Sequence, residues 1–145
     1  MVVVNCFLGS FCQSFVLKLI RGTFETTYRA WMIACFREMH GMTRHFKADF
    51  DDVVDFLEDT HRLRLDRPIM FPGFIGGHCL IPNTELLLNV YDSEFLRLIL
   101  KSNEKRKEEI KDKSVQKEVE KVSKRAEALE KELTEKTFKV KTSST

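Results

Sequence analysis

The stretch Phe71-Pro72-Gly73-Phe74-Ile75-Gly76-Gly77-His78-Cys79-Leu80-Ile81-Pro82-Asn83 decides how the rest of the chain is interpreted. It holds three of the chain's six glycines and two of its three prolines. Pro72-Gly73 predicts a turn and Gly76-Gly77 a second bend, because glycine reaches backbone angles that other residues avoid. Asn83 is a favoured N-cap residue, so a helix is predicted to begin at Thr84.

Cys79 lies just before this predicted helix, and the partial positive charge of a helix N-terminus favours a thiolate. Cys79 is therefore the candidate nucleophile of the chain. The alternative is a small buried thiol that packs in a tight loop. The residues alone leave both interpretations open.

The segment from about Ser14 to His40 has a helical pattern, with apolar side chains three and four residues apart. Such a stripe is typical of a core or of a helix that binds a partner. Gly22 interrupts the pattern, which predicts that another backbone packs closely there. Asp49 is the predicted N-cap of a second, shorter helix. The stripe of the first helix consists of Phe24, Tyr28, Trp31, Cys35, Met39 and Met42.

Gly76-Gly77-His78-Cys79, with Pro82 close behind, resembles the Gly-Gly-His-Cys signature of nucleotide-sugar dehydrogenases. These enzymes act on UDP-glucose, GDP-mannose and UDP-N-acetylmannosamine and serve polysaccharide biosynthesis. Upstream, Glu25-Thr26-Thr27-Tyr28-Arg29-Ala30, Ile33-Ala34 and Glu38 resemble the long central helix of that family. The resemblance covers roughly residues 15–100 and corresponds to the family's middle domain.

The resemblance and the helical patterns imply a mainly α fold. We expect a long central helix, shorter helices around a glycine-rich loop, and a charged helical tail. The middle-domain-like part spans residues 1–100 and the tail residues 101–145. In the family the long helix packs against its copy in a second subunit, so a homodimer is expected.

The resemblance also implies a chemistry, in which a cysteine attacks the aldehyde formed by NAD-dependent oxidation of the sugar alcohol. Cys79 matches that cysteine. A lysine and an asparagine on the long helix, and an aspartate four residues after the cysteine, complete the family's machinery. Here those places hold Gly22, Thr26 and Asn83. A register shifted by one turn places Lys18 at the lysine position.

Substrate contacts are expected from the loop residues Gly76, Gly77 and His78. Arg64 and Arg67 lie in a basic connector from His61 to Pro68, which predicts either phosphate contacts or a solvated loop. The family flanks its middle domain with two nucleotide-binding domains. No G-x-G-x-x-G fingerprint follows a predicted strand here. We therefore expect no NAD binding by this chain alone.

Two functions follow from these observations. The first is a non-catalytic dimerisation or binding module. The second is one subunit of a split dehydrogenase, in which Cys79 is the nucleophile and a partner chain supplies the NAD-binding domain. The substituted lysine, asparagine and aspartate positions favour the first, and the retained Gly-Gly-His-Cys sequence supports the second.

Composition and charge bear on the partners, the compartment and the metal or membrane sites that the chain could have. The 145 residues carry a net charge of +2, which does not indicate a nucleic-acid partner. Four scattered cysteines without a CxxC pair predict a reducing, cytoplasmic location and no metal site. Residues 1–17 lack charge, yet they have no basic start or cleavage site, so a membrane segment is not expected. Val2-Val3-Val4 is predicted to form a short strand.

The tail has a heptad pattern, with apolar residues at alternating spacings of four and three. A coiled coil, with Arg125 and Glu130 paired between parallel strands, and a solvated single helix are both compatible with it. Residues 141–145 are expected to be disordered. The heptad residues are Val115, Val119, Val122, Ala126, Leu129 and Leu133.

Overall fold

The computed structural model describes the backbone of residues 3–66 and 68–142 and the side chains of residues 20–66 and 68–136. Within those ranges the chain forms helices and no strand, which confirms the mainly α prediction. The helices are α1 (Val3–His45), α2 (Phe50–Arg64), α3 (Leu80–Val90), α4 (Glu94–Glu109) and α5 (Lys113–Thr142).

The first helix is longer than its pattern predicted. Val3 and Val4 are helical, so the predicted strand is wrong for these two residues, and Val2 lies outside the described residues. None of the described helices is long and apolar enough to cross a bilayer. The disorder predicted for residues 143–145 also falls outside the described part, whereas residues 141 and 142 are helical.

Helix α2 begins as its sequence predicts. A side-chain oxygen of Asp49 accepts a hydrogen bond of 2.9 Å from the backbone N–H of Asp51, as an N-cap does. Asp51 and Asp52 follow in the first turn, where carboxylates favour the helix dipole. The helix continues to Arg64 and ends at Leu65 in the left-handed conformation, so the first half of the predicted basic connector is helical.

Helix α3 begins earlier than predicted, at Leu80, with Cys79 as its N-cap. Asn83 is therefore not the N-cap, and its backbone N–H donates to the carbonyl of Cys79 at 2.9 Å. Pro82 does not prevent this start, because the first turn of a helix needs no N–H donor at that position. Helix α3 ends at Val90 and α4 begins at Glu94, so Asp92 and Ser93 lie between the two helices.

The chain divides into two compact units, residues 1–31 with 75–101, and residues 32–74 with 102–145. In the first unit several of the buried side chains are small or polar. Trp31 stacks on Phe95 with ring centroids 3.6 Å apart. Among the side chains of this unit that the structure describes, from residue 20 onward, the buried ones are Thr23, Thr27, Ala30, Ile75, Thr84, Leu96 and Ile99.

The second unit has the apolar core of the described chain. Phe36 of α1, Phe50 and Val54 of α2, and Ile69 pack with Val122 and Leu129 of α5. The apolar heptad face of the tail is therefore turned away from solvent. Val122 and Leu129 lie in this core with Ala126 and Leu133 packed beside them, and Val115 and Val119 are also buried.

Charges on α2 and α5 reinforce this packing. Arg125 forms ion pairs with Asp51, Asp55 and Glu58 of α2, and Lys121 also pairs with Asp51. Arg125 therefore pairs within its own chain, whereas the coiled-coil alternative had paired it with Glu130 of a second strand. The tail helix belongs to the core of the second unit.

The face of α1 that is buried within the chain is not the aromatic stripe. The residues buried at spacings of four and three are Thr23, Thr27, Ala30, Ala34 and Arg37. At about 100° per residue, the predicted aromatic stripe lies roughly a third of the helix circumference away. Two members of that stripe, Phe24 and Tyr28, are 58% and 63% exposed.

Candidate functional site

The glycine-rich loop places its signature residues in solvent. Gly76, Gly77, His78 and Cys79 are all exposed. Gly77 has a φ of 97°, in the left-handed region where a side chain is strained. The loop therefore requires glycine at residue 77 for conformational reasons, independently of any ligand.

Cys79 is exposed, and α3 begins directly after it. The buried-thiol alternative is thus wrong for this cysteine. Cys35 of α1 is half-buried, and burial raises the pKa of its thiol. Among the cysteines whose side chains the structure describes, Cys79 is the one open to an electrophile.

Two positions of the implied machinery are in direct contact. The side-chain amide of Asn83 donates a hydrogen bond of 2.9 Å to the hydroxyl oxygen of Thr26. The same hydroxyl lies 3.1 Å from the carbonyl oxygen of Gly22 and 3.0 Å from that of Thr23, to which it donates. The two residues that the resemblance places at the family's asparagine and aspartate positions are therefore hydrogen-bonded to each other.

The chemistry available to this pair is limited. The asparagine amide is neutral and cannot take a proton from water as a carboxylate can. The hydroxyl of Thr26 donates its hydrogen to backbone carbonyls of its own helix. Gly22 is exposed, and a Cβ placed there meets no atom of the described residues within 4 Å. The close backbone packing predicted at Gly22 is therefore not found within the described chain.

The remaining candidate residues lie in the second unit or outside the described side chains. Lys18 lies in α1, outside the residues whose side chains are described. Arg64 is exposed in the second unit, with its Nε 3.2 Å from a carboxylate oxygen of Asp66, and Arg67 lies outside the described residues. Among the described residues no group of three or more His, Cys, Asp and Glu side chains is placed to hold a metal ion.

Sequence reasoning missed a buried cluster of basic residues in the second unit. Arg37 donates to the carbonyl of Gly73 from Nε at 2.9 Å and from Nη2 at 2.7 Å, and it also reaches Oδ1 of Asn103 at 2.8 Å. Burial and the nearby Arg106 lower the pKa of Arg37 to about 10, so it remains charged at neutral pH. The spacing with Ala30 and Ala34 was the signal that could have revealed it.

Arg106 and His40 form the other half of this cluster. Arg106 donates to the carbonyl of Arg37 at 3.1 Å and lies with Nη1 3.0 Å from Nδ1 of His40. Nε2 of His40 is 2.7 Å from a carboxylate oxygen of Glu118 in α5. Burial lowers the pKa of His40, as does Arg106, whereas Glu118 opposes the shift.

The long helix and the Gly-Gly-His-Cys loop carry the resemblance to the nucleotide-sugar dehydrogenase class. The model of the UDP-glucose/GDP-mannose dehydrogenase family, central domain, matches residues 20–105. The chain therefore belongs to this family through its central domain. Comparisons with curated proteins and with solved structures gave no match. Helix α5 lies beyond the matched residues.

Proposed function

We propose that this domain is a non-catalytic or partial nucleotide-sugar dehydrogenase-like module that acts by association. The observation that carries the proposal is the hydrogen bond between Asn83 and Thr26. The family's chemistry requires a base four residues after the cysteine and a polarising asparagine and lysine on the long helix. Asn83, Thr26 and Gly22 supply neither the base nor the lysine.

The association is proposed to be a homodimer through α1. Phe24 and Tyr28 are large, exposed and one helical turn apart, and exposed aromatic patches mark interaction surfaces. We place the module in the cytoplasm, on the cysteine pattern alone. The polar groups near Cys79 do not fit NAD-dependent oxidation, so no step through that cofactor is assigned to this chain.

A second function is favoured by the exposure of Cys79. In a split enzyme, Cys79 would attack a sugar aldehyde, and a partner chain would bind the NAD that accepts the hydride. The split-enzyme function requires of this chain only an accessible thiol, and Cys79 is exposed at the start of α3. The product of the attack is a thiohemiacetal, in which the aldehyde carbon bonds to sulfur and its oxygen takes a proton.

The test separates the two functions with one set of samples. The purified chain and its Cys79→Ser variant are incubated with UDP-glucose or GDP-mannose and NAD, and NADH absorbance is followed. We expect no NADH from either protein. In parallel, both are exposed to the UDP-glucose aldehyde and examined by intact-mass spectrometry, with Cys35→Ser as the matched control.

The outcomes are distinct. An adduct that disappears in Cys79→Ser and persists in Cys35→Ser would support the split enzyme. Production of NADH that requires Cys79 would overturn the proposal of a non-catalytic module. Absence of both signals agrees with a module that acts by association.

A further inference from the structure

His40 occupies a junction where four elements of the second unit meet. It lies on α1 and is 1% exposed. Its ring packs edge-on against Phe50 of α2, with centroids 5.0 Å apart. Arg106 of α4 and Glu118 of α5 contact its two ring nitrogens. The imidazole therefore connects the tail helix to the rest of its unit.

The two contacts fix which nitrogen carries the proton. A guanidinium can only donate, so Nδ1 of His40 accepts the hydrogen bond from Arg106 and bears no hydrogen. Nε2 then carries the hydrogen and donates it to Glu118 at 2.7 Å. The ring is neutral in this arrangement, and a second proton has no place to go except between Nδ1 and the guanidinium.

The charges around the ring act in opposite directions. Arg106 of α4 and Arg44 of α1 disfavour a positive imidazole, and Glu118 of α5 favours it. The residue of α2 that packs against the ring is Phe50, which is uncharged. Glu109 of α4 is engaged by Arg106, with Nε and a carboxylate oxygen 3.2 Å apart, so it does not compensate at the ring.

We propose that His40 is a pH-sensitive latch, which holds α5 in place while the imidazole is neutral and loosens it when the imidazole is protonated. Protonation at Nδ1 breaks the hydrogen bond from Arg106 and places two cations about 3 Å apart in a buried site. The ring must then move, and the movement withdraws the donor from Glu118. The proposal does not depend on the proposed function.

The direction of the pH dependence follows from linkage. The pKa of His40 is lowered by the fold, so the released state binds more protons than the docked state below the ordinary His pKa of about 6.5. Docking of α5 is therefore complete above that pH and weakens as the pH falls. The docking equilibrium changes by up to about tenfold per pH unit in this range.

The experiment measures hydrogen exchange of α5 amides in the full chain by mass spectrometry, at about pH 7.5 and about pH 5.5, on either side of the ordinary His pKa. Rates are corrected for the intrinsic pH dependence of exchange. His40→Gln is the test variant, because glutamine keeps one acceptor and one donor but does not titrate. His45→Gln, at an exposed histidine of the same helix, is the matched control.

We expect α5 protection to fall several-fold at the lower pH in the wild type and in His45→Gln, and to stay constant in His40→Gln. An equal fall in His40→Gln, or no fall in the wild type, would overturn the latch. If His40→Gln does not fold, the ring nitrogens of His40 are observed by NMR. A titration midpoint at or above that of His45 would then contradict the proposal.

Discussion

At the residue scale, single positions of the loop and of α1 carry most of the functional interpretation. Gly77 is required by its φ of 97°, and Cys79 is exposed immediately before α3. The side-chain amide of Asn83 donates a hydrogen bond to the hydroxyl of Thr26. The identity of these residues was visible in the sequence. Their contact was not, because residues 57 positions apart meet only through the packing of two helices.

Replacing Gly22 by alanine is expected to stabilise the chain by about 1 kcal/mol, since glycine costs that much inside an exposed helix. A Cβ at Gly22 meets nothing within 4 Å among the described residues. Gly41→Ala is the matched control, because a Cβ at Gly41 also meets no described atom within 4 Å. Urea unfolding measures both variants. Loss of stability in Gly22→Ala alone would mean that a second copy packs its backbone against Gly22.

Cys79 is expected to react with iodoacetamide faster than Cys35 in the folded protein near neutral pH. Cys79 is exposed, whereas Cys35 is half-buried and burial raises its pKa. Mass-spectrometric labelling of each cysteine against time gives the two rates. Labelling of Cys35 at the same rate in folded and unfolded protein would contradict this account of their environments.

At the scale of elements, the heptad spacing of the tail correctly identified an apolar face and left its partner open. Val119, Val122 and Leu129 could have faced solvent, a second strand or the same chain. All three are buried, and Val122 and Leu129 lie in the core that contains Phe50 and Val54. A spacing rule describes one helix surface, and it holds no information about which surface covers it. The acidic residues of α2 were the part of the sequence that could have indicated the partner of this face, because they pair with Arg125 of α5.

Leu129→Ala is expected to destabilise the chain by about 2–5 kcal/mol, because it opens a cavity in a packed core. Leu129 is 3% exposed in α5. Leu63→Ala removes the same atoms from a side chain that is 86% exposed, and it should change stability by about 0.5 kcal/mol or less. Denaturant unfolding followed by circular dichroism compares them. Equal effects of the two substitutions would mean that α5 does not pack as described.

At the scale of the whole molecule, the helical patterns predicted a helical chain, and the resemblance of Gly76-Gly77-His78-Cys79 to a family signature predicted its family. They did not predict that the chain divides into two units, or that several of the buried side chains of the first are threonines. Small polar side chains resemble an exposed face in the sequence, and their burial depends on what covers them. For the aromatic residues Phe24 and Tyr28 the sequence left open a core or a partner helix, and both side chains are exposed in this chain.

The most direct test of association through α1 is the molar mass in solution at micromolar concentration, measured by multi-angle light scattering. The account predicts a wild-type mass of twice 17.0 kDa. Phe24→Glu with Tyr28→Glu should give 17.0 kDa with unchanged helicity. Phe56→Glu, at an aromatic residue of α2 that is 64% exposed, should remain dimeric. A monomeric wild type, or a double variant that stays dimeric, would contradict the account.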